Sequence, residues 1–311
     1  MRFTTFMGAG ESAAQPGIAL QDGTIAALGD LYPSMLALID AGEAGLDAAR
    51  AREASPAKTY AASDARLLAP VPQPRRMRDC MVYEKHLQQS AREGMKLTGE
   101  TDPVVTIPEV WYRQPIYYKS NHLSVIGPDT DIRWPTYAQA MDFELEIAVV
   151  IGRKACDPSP AEAEKLVFGY TIFNDVSARD TQMTEMAGQL GPAKGKDFDT
   201  GNVLGPFLVT PDEVGDVQGL KANVRVNGKT MAETSTAGMQ HDVGHVLAHM
   251  AASETIYPGE VVGLGTLGDG CLLEQGIFLQ PDDLIELEVE KLGILRNRIV
   301  KGAHRQGGMR R

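Results

Sequence analysis

Cysteine is scarce in this chain, with three residues at positions 80, 156 and 271 of 311. Odd in number and far apart, they exclude a disulfide framework and a paired-cysteine zinc site, and they read as small buried apolar residues. Positive charge is also in short supply, 30 Lys and Arg against 41 Asp and Glu, for a formal net charge of −11. The basic residues gather in nothing longer than short pairs such as Arg75–Arg76 and Arg310–Arg311. A nucleic acid is therefore not an expected partner. No apolar run approaches membrane-spanning length, and Met1-Arg-Phe-Thr-Thr-Phe-Met7 reaches Gly8 without a signal-peptide core. The expectation is a cytoplasmic protein with no membrane partner. What is present is 43% hydrophobic and 23% charged residues, enough apolar material for a full core and too much for a disordered chain.

Residues 1–69 read as a small N-terminal domain, with a hairpin over Ile18–Leu28 and an amphipathic helix over Ser34–Ala51 that turns Leu36, Leu38 and Ile39 to one face. Pro70, Pro72 and Pro74 then force an extended passage, which places the boundary there. The main, catalytic domain is expected over 70–303, followed by a basic tail over 304–311. Within it Tyr83–Met95 has helical spacing. Short β-branched or alternating runs predict strands at Ile116–Ser120, Phe143–Ile151, Tyr170–Asn174, Ala222–Val226, Val261–Leu264 and Ile285–Val289, with a hairpin at Asn227-Gly228. Helices are expected at Pro160–Val167, Ala178–Gly188 and Asp242–Ala252.

The densest chemical signal is Asp142-Phe-Glu144-Leu-Glu146, followed by the apolar run Ile147–Ile151. On a strand, residues two apart share a face, so the three carboxylates are expected to project together. They repel one another unless water or a cation separates them. A solvated edge strand is the simple reading of the pattern, but the apolar continuation favours a central strand whose acids need a partner. Asp175 lies at the end of another strand, where it either binds a ligand or caps the helix that follows. Lys194-Gly-Lys196 offers an ammonium group in a glycine-rich loop. Asp79 precedes His86 by seven residues, and Glu274 closes a small apolar stretch. Alone, each of these has an ordinary structural explanation.

Together they resemble the fumarylacetoacetate hydrolase family. Glu144-Leu-Glu146, Asn174-Asp175-Val-Ser-Ala-Arg179-Asp180, Leu190-Gly-Pro with Gly195-Lys196, Gly205-Pro206, and Pro258-Gly259 with Gly265-Thr266 stand in the family's order, from about Leu68 to Ile299. The resemblance implies an α+β, β-rich fold, a mixed roll or distorted barrel, and a homodimer. It implies a metal site at Glu144, Glu146 and Asp175 with Asp79 as fourth acid, and a water-activating pair His86 and Glu274. It further implies substrate contacts from Arg179, Gln182, Lys196 and Thr266. Met81 and Met95 stand where true fumarylacetoacetate hydrolases carry a tyrosine and an arginine, so the acyl group is left open.

The implied function is divalent-metal-dependent hydrolysis of a C–C bond in a 1,3-dicarbonyl acid, such as an acylpyruvate or a fumarylacetoacetate-like compound. Oxygen ligands favour Mg²⁺, Mn²⁺ or Ca²⁺ over zinc. Lys196 is expected to stabilise the oxyanion. The alternative is decarboxylation, dehydration, hydration or isomerisation of a 2-oxo acid at the same site; another is a non-catalytic binding protein on the same scaffold. Two competing motifs are weaker. Gly263-Leu-Gly265-Thr-Leu-Gly268 matches a dinucleotide fingerprint but runs into Asp269-Gly270 rather than a helix. His241, His245 and His249 recur every four residues, without the glutamate of a His-Glu-x-x-His zinc site.

Overall fold

The computed structural model describes residues 1–301, so the expected tail 304–311 lies outside the described residues. The architecture is α+β. Its largest sheet has twelve strands, ten of them in the order Thr59–Ala61, Thr24–Ala27, Gln15–Ala19, Arg2–Gly8, Asn202–Val209, Val167–Asp175, Leu145–Ile151, Val261–Gly263, Met77–Cys80 and Tyr117–Lys119. A five-stranded sheet runs Lys229–Ser235, Lys221–Val226, Leu284–Val289, Gly293–Lys301 and Ile132–Trp134. Met141–Asp142 and Ser177–Ala178 form a separate small ladder. None of the sheets described closes into a barrel.

Leu145–Ile151 is buried on both faces, as its uninterrupted apolar run predicts for a central strand. Leu145, Ile147, Val149 and Ile151 face one core, while Ala148 and Val150 face another. Burying each of the larger aliphatic side chains contributes about 1.5–3 kcal/mol. The solvated-edge reading is thereby overturned, and Glu146, which shares the parity of Ala148 and Val150, is carried into the interior. The strands of residues 1–69 extend this same sheet, through Arg2 opposite Val209 and Phe3 opposite Leu208. Phe3, Ile18, Leu38 and Ile39 join Ala148, Val150, Phe173 and Leu208 in one core.

The expected helix over 34–51 is two helices, Met35–Asp40 and Gly42–Ala54. Gly42 sits at φ +58°, a left-handed turn that tolerates glycine and breaks the helical run. The helix after the proline passage spans Glu84–Leu97. The Asn227-Gly228 turn joins Lys221–Val226 to Lys229–Ser235 as expected. Cys80 and Cys271 are buried, but Cys156 is exposed, which corrects the reading of all three as core residues.

Candidate active site

Three strands deliver three carboxylates to one point. Asp79 comes from Met77–Cys80, Glu146 from Leu145–Ile151, and Asp175 from the last position of Val167–Asp175. All three are buried, and one oxygen from each lies within 4.8 Å of those of the other two. Between the first two runs the short strand Val261–Gly263, in register with both. A Cβ at Gly263 would stand 2.2 Å from Asp79 Oδ1 and 3.0 Å from Glu146 Oε2, so only glycine leaves the space the two acids share.

This cluster carries negative charge without enough partners. Asp79 Oδ1 and Asp175 Oδ1 are buried with no hydrogen-bond partner. Glu146 accepts from Gly265 N at 3.0 Å and from Thr266 Oγ1 at 3.3 Å, which places Thr266 against a carboxylate. Burial, reinforced by the neighbouring carboxylates, pushes Glu146 well above the usual range. Burial likewise raises Asp175, against the pull of Lys196, and raises Asp79. Orphaned oxygens, mutual repulsion and an all-oxygen donor set fit a hard divalent cation.

Glu144 and Asp142 face a different environment. The main strand begins at Leu145, Glu144 N donates to Asn174 Oδ1 at 3.1 Å, and Asp142 pairs with Ser177 in the small ladder. Residues 143–144 therefore lie between two strands, and Asp142, Glu144 and Glu146 do not sit on one continuous strand as expected. Asp142 accepts from Arg179 Nε and Nη2 at 2.9 and 2.7 Å and from the backbone N–H groups of Leu272 and Leu273 at 2.9 and 3.0 Å. Glu144 pairs with Arg179 Nη1 at 2.7 Å and with Lys196, whose ammonium group also holds Asp175. Burial alone would raise Glu144, but Arg179, Lys196 and His86 overcome it and hold the carboxyl far below its ordinary value. Gln182 Oε1 accepts from Arg179 Nη1 at 3.0 Å.

His86 sits in the first turn of Glu84–Leu97, and Glu274 in the short turn Leu273–Gln275. His86 Nδ1 lies 2.8 Å from Glu274 Oε1, and Nε2 faces Glu144 Oε1 at 3.8 Å. A carboxylate at Nδ1 favours the proton on that nitrogen and leaves the Nε2 lone pair on the side of Glu144. Such a pair is suited to moving a proton at Nε2. Tyr118 and Cys271 are additions that sequence reasoning missed. Tyr118 donates to Asp175 Oδ2 at 2.6 Å, and Cys271 Sγ lies 4.0 Å from His86 Nδ1. Only the expected strand over Ile116–Ser120 carried a signal for the tyrosine.

The competing motifs go elsewhere. The strand Val261–Gly263 leads into loop, not into a helix presenting N–H groups to a pyrophosphate. His241 Nε2 meets Trp111 O at 3.0 Å, His245 Nδ1 meets Asp242 Oδ1 at 2.8 Å, and His249 packs edge-on against Tyr117.

Residues 79–300 match the model of the fumarylacetoacetate (FAA) hydrolase C-terminal domain. The chain belongs to the fumarylacetoacetate hydrolase family. Among family relatives it is 33% identical over 273 residues to the human mitochondrial oxaloacetate tautomerase FAHD2A, covering 87% of this chain and 81% of that protein. It is 36% identical over 196 residues to a 2,4-didehydro-3-deoxy-L-rhamnonate hydrolase of Sphingomonas sp. (strain SKA58), covering 61% of this chain and 67% of that one. The solved fumarylacetoacetate hydrolase of Exiguobacterium antarcticum superposes with a TM-score of 0.76 at 26% identity, over 97% of this chain and all of that one. The family includes hydrolases, tautomerases and isomerases, and its enzymes depend on metal.

Proposed function

We propose that the protein hydrolyses a C–C bond in a 1,3-dicarbonyl acid, an acylpyruvate or a fumarylacetoacetate-like compound, with a hard divalent cation. The observation that carries this reading is the His86–Glu274 pair, whose second ring nitrogen faces Glu144. Asp79, Glu146 and Asp175 would hold Mg²⁺, Mn²⁺ or Ca²⁺, and Glu144, expected with Glu146 and Asp175 as a ligand, lies paired to Arg179 and Lys196 beside them. When bound, such a cation supplies Lewis-acid polarisation of the substrate's oxygens.

The chain's own residues do the rest. Glu274 keeps the imidazole oriented, and His86 Nε2 takes a proton from water as the oxygen attacks one carbonyl. Lys196, with Gln182 near it, donates hydrogen bonds to the oxyanion. Collapse breaks the C–C bond, and the proton held on His86 goes to the departing carbon, so water adds across the bond and two acids leave. Arg179 keeps Glu144 and Gln182 in position. A homodimer in the cytoplasm, with a small dicarbonyl acid as its partner and neither nucleic acid nor membrane, completes the proposal.

A second reading is favoured by the likeness to the oxaloacetate tautomerase. There the same His86 would carry a proton between carbon and oxygen of a 2-oxo acid with no bond cleaved. Loss of enol absorbance across a panel of 1,3-diketo acids and oxaloacetate, with Mg²⁺ or Mn²⁺ and then EDTA, separates the two. Cation-dependent release of two acids supports hydrolysis; enol decay with intact substrate recovered supports tautomerisation. His86→Ala should lower turnover about 10²–10⁴-fold. Unchanged turnover in that variant would refute the proton-transfer role in both readings.

A further inference from the structure

Beside the all-oxygen cluster lies a second group of potential ligands with different chemistry. His86, Cys271 and Glu274 each offer one donor atom, nitrogen, sulfur and oxygen, and the three lie within 4.8 Å of one another, all buried. The separations are 2.8 Å from His86 Nδ1 to Glu274 Oε1 and 4.0 Å from His86 Nδ1 to Cys271 Sγ. A tetrahedral zinc with bonds of about 2.0–2.3 Å spaces nitrogen and oxygen ligands about 3.3 Å apart, and nitrogen and sulfur about 3.6 Å apart. Shifts of about half an ångström bring these two separations to those values, and the Cys271 and Glu274 donor atoms already lie within 4.8 Å of each other. We propose that His86, Cys271 and Glu274 form an inhibitory site for a soft or borderline divalent cation such as Zn²⁺, distinct from the hard-cation site at Asp79, Glu146 and Asp175.

The chemistry balances. The Cys271 thiol, kept protonated by burial and by the nearby Asp142 carboxylate, gives up its proton to solvent. Zn²⁺ displaces the hydrogen bond between His86 and Glu274 and bonds to Nδ1, and the imidazole proton moves to Nε2. Thiolate, carboxylate and Zn²⁺ together are neutral, which suits a buried position. With its one proton on Nε2, the imidazole cannot accept another from water or carbon. The inhibitory consequence rests on the proposed proton-transfer role of His86; the binding itself does not.

The test is a Co²⁺ titration of the full chain in saturating Mg²⁺, which occupies the oxygen cluster. The expected result is a near-ultraviolet thiolate-to-cobalt absorption band that Zn²⁺ abolishes, with release of a proton on binding. Cys271→Ser should lose the band and weaken Zn²⁺ binding about a hundredfold or more, while Glu146→Gln keeps the band. In the unaltered protein Zn²⁺ should also protect Cys271 from alkylation, read peptide by peptide, which holds even where the serine variant folds poorly. Zn²⁺ should inhibit turnover of the native protein at concentrations that leave Cys271→Ser at its own zinc-free rate. Absence of the band, its persistence in Cys271→Ser, or Zn²⁺ inhibition equal in both proteins would overturn the proposal. If none of the diketo acids or oxaloacetate turns over, the hydrolase and tautomerase readings fail, and the cobalt band still decides the metal site.

Discussion

Glu144 and Glu146 lie two residues apart, both are buried, and their carboxyls are driven in opposite directions. Glu144 meets Arg179 and Lys196 and is held ionised. Glu146 meets Asp79 and Asp175 and is pushed toward the neutral acid. Burial is common to both, so it is the partner that decides the charge. The compensated half of the site, Asp142 and Glu144 on Arg179, is a fixed framework. The other half, Asp79, Glu146 and Asp175, has three carboxyls and only the Lys196 ammonium and the Tyr118 hydroxyl, both at Asp175, and this is what a cation would relieve.

The difference can be broken from either side. Glu146→Gln should cost about 10³-fold or more in turnover by weakening the cation. In the metal-free protein the same change should raise the melting temperature, because it removes a repelling acid; a variant that loses activity and stability together would contradict this. Arg179→Met leaves the buried Asp142 carboxylate without a cation and Glu144 with Lys196 alone, a loss of about 3–5 kcal/mol in denaturant unfolding.

A pH series sharpens the same contrast. In the metal-free protein burial lifts Asp79 to about 6 and Asp175 to about 8, both above their unfolded value. An acid raised on folding contributes stability at low pH and loses it as pH rises through the folded pKa. The metal-free melting temperature should therefore fall between about pH 5 and 8.5, while the increment given by added Mg²⁺ grows over the same window. A metal-free protein that is stabilised across this range would contradict the sign. The smallest effect belongs to the exposed pair Arg296–Asp129, where Asp129→Asn should change stability by less than about 1 kcal/mol, measured by the same denaturant series.

The central strand was legible because seven consecutive residues, Leu145–Ile151, are apolar apart from Glu146 and rich in β-branched side chains, a pattern that favours a doubly buried strand. The carboxylates were legible by type and position, but their partition was not. Whether Asp142 points with Glu146 depends on the gap between strands at Phe143-Glu144, and that gap is fixed by Asn174 and by the backbone of Leu272 and Leu273, far away in sequence. His86 and Glu274 meet across 188 residues, and the resemblance alone joined them. Beyond the expected strand that holds Tyr118, neither Tyr118 nor Cys271 carried the mark of a site residue, since their proximity to Asp175 and His86 arises only when the sheet is assembled. The break at Gly42 was hidden by the apolar spacing that continues across it.

The most direct measurement is Mn²⁺ binding to the metal-free chain, followed by electron paramagnetic resonance, in the native protein and in Asp79→Asn and Glu146→Gln. The account predicts a single tightly held ion that Mg²⁺ displaces, with affinity reduced about a hundredfold or more in both variants. Failure of the native chain to hold Mn²⁺, or equal affinity in all three proteins, would contradict it.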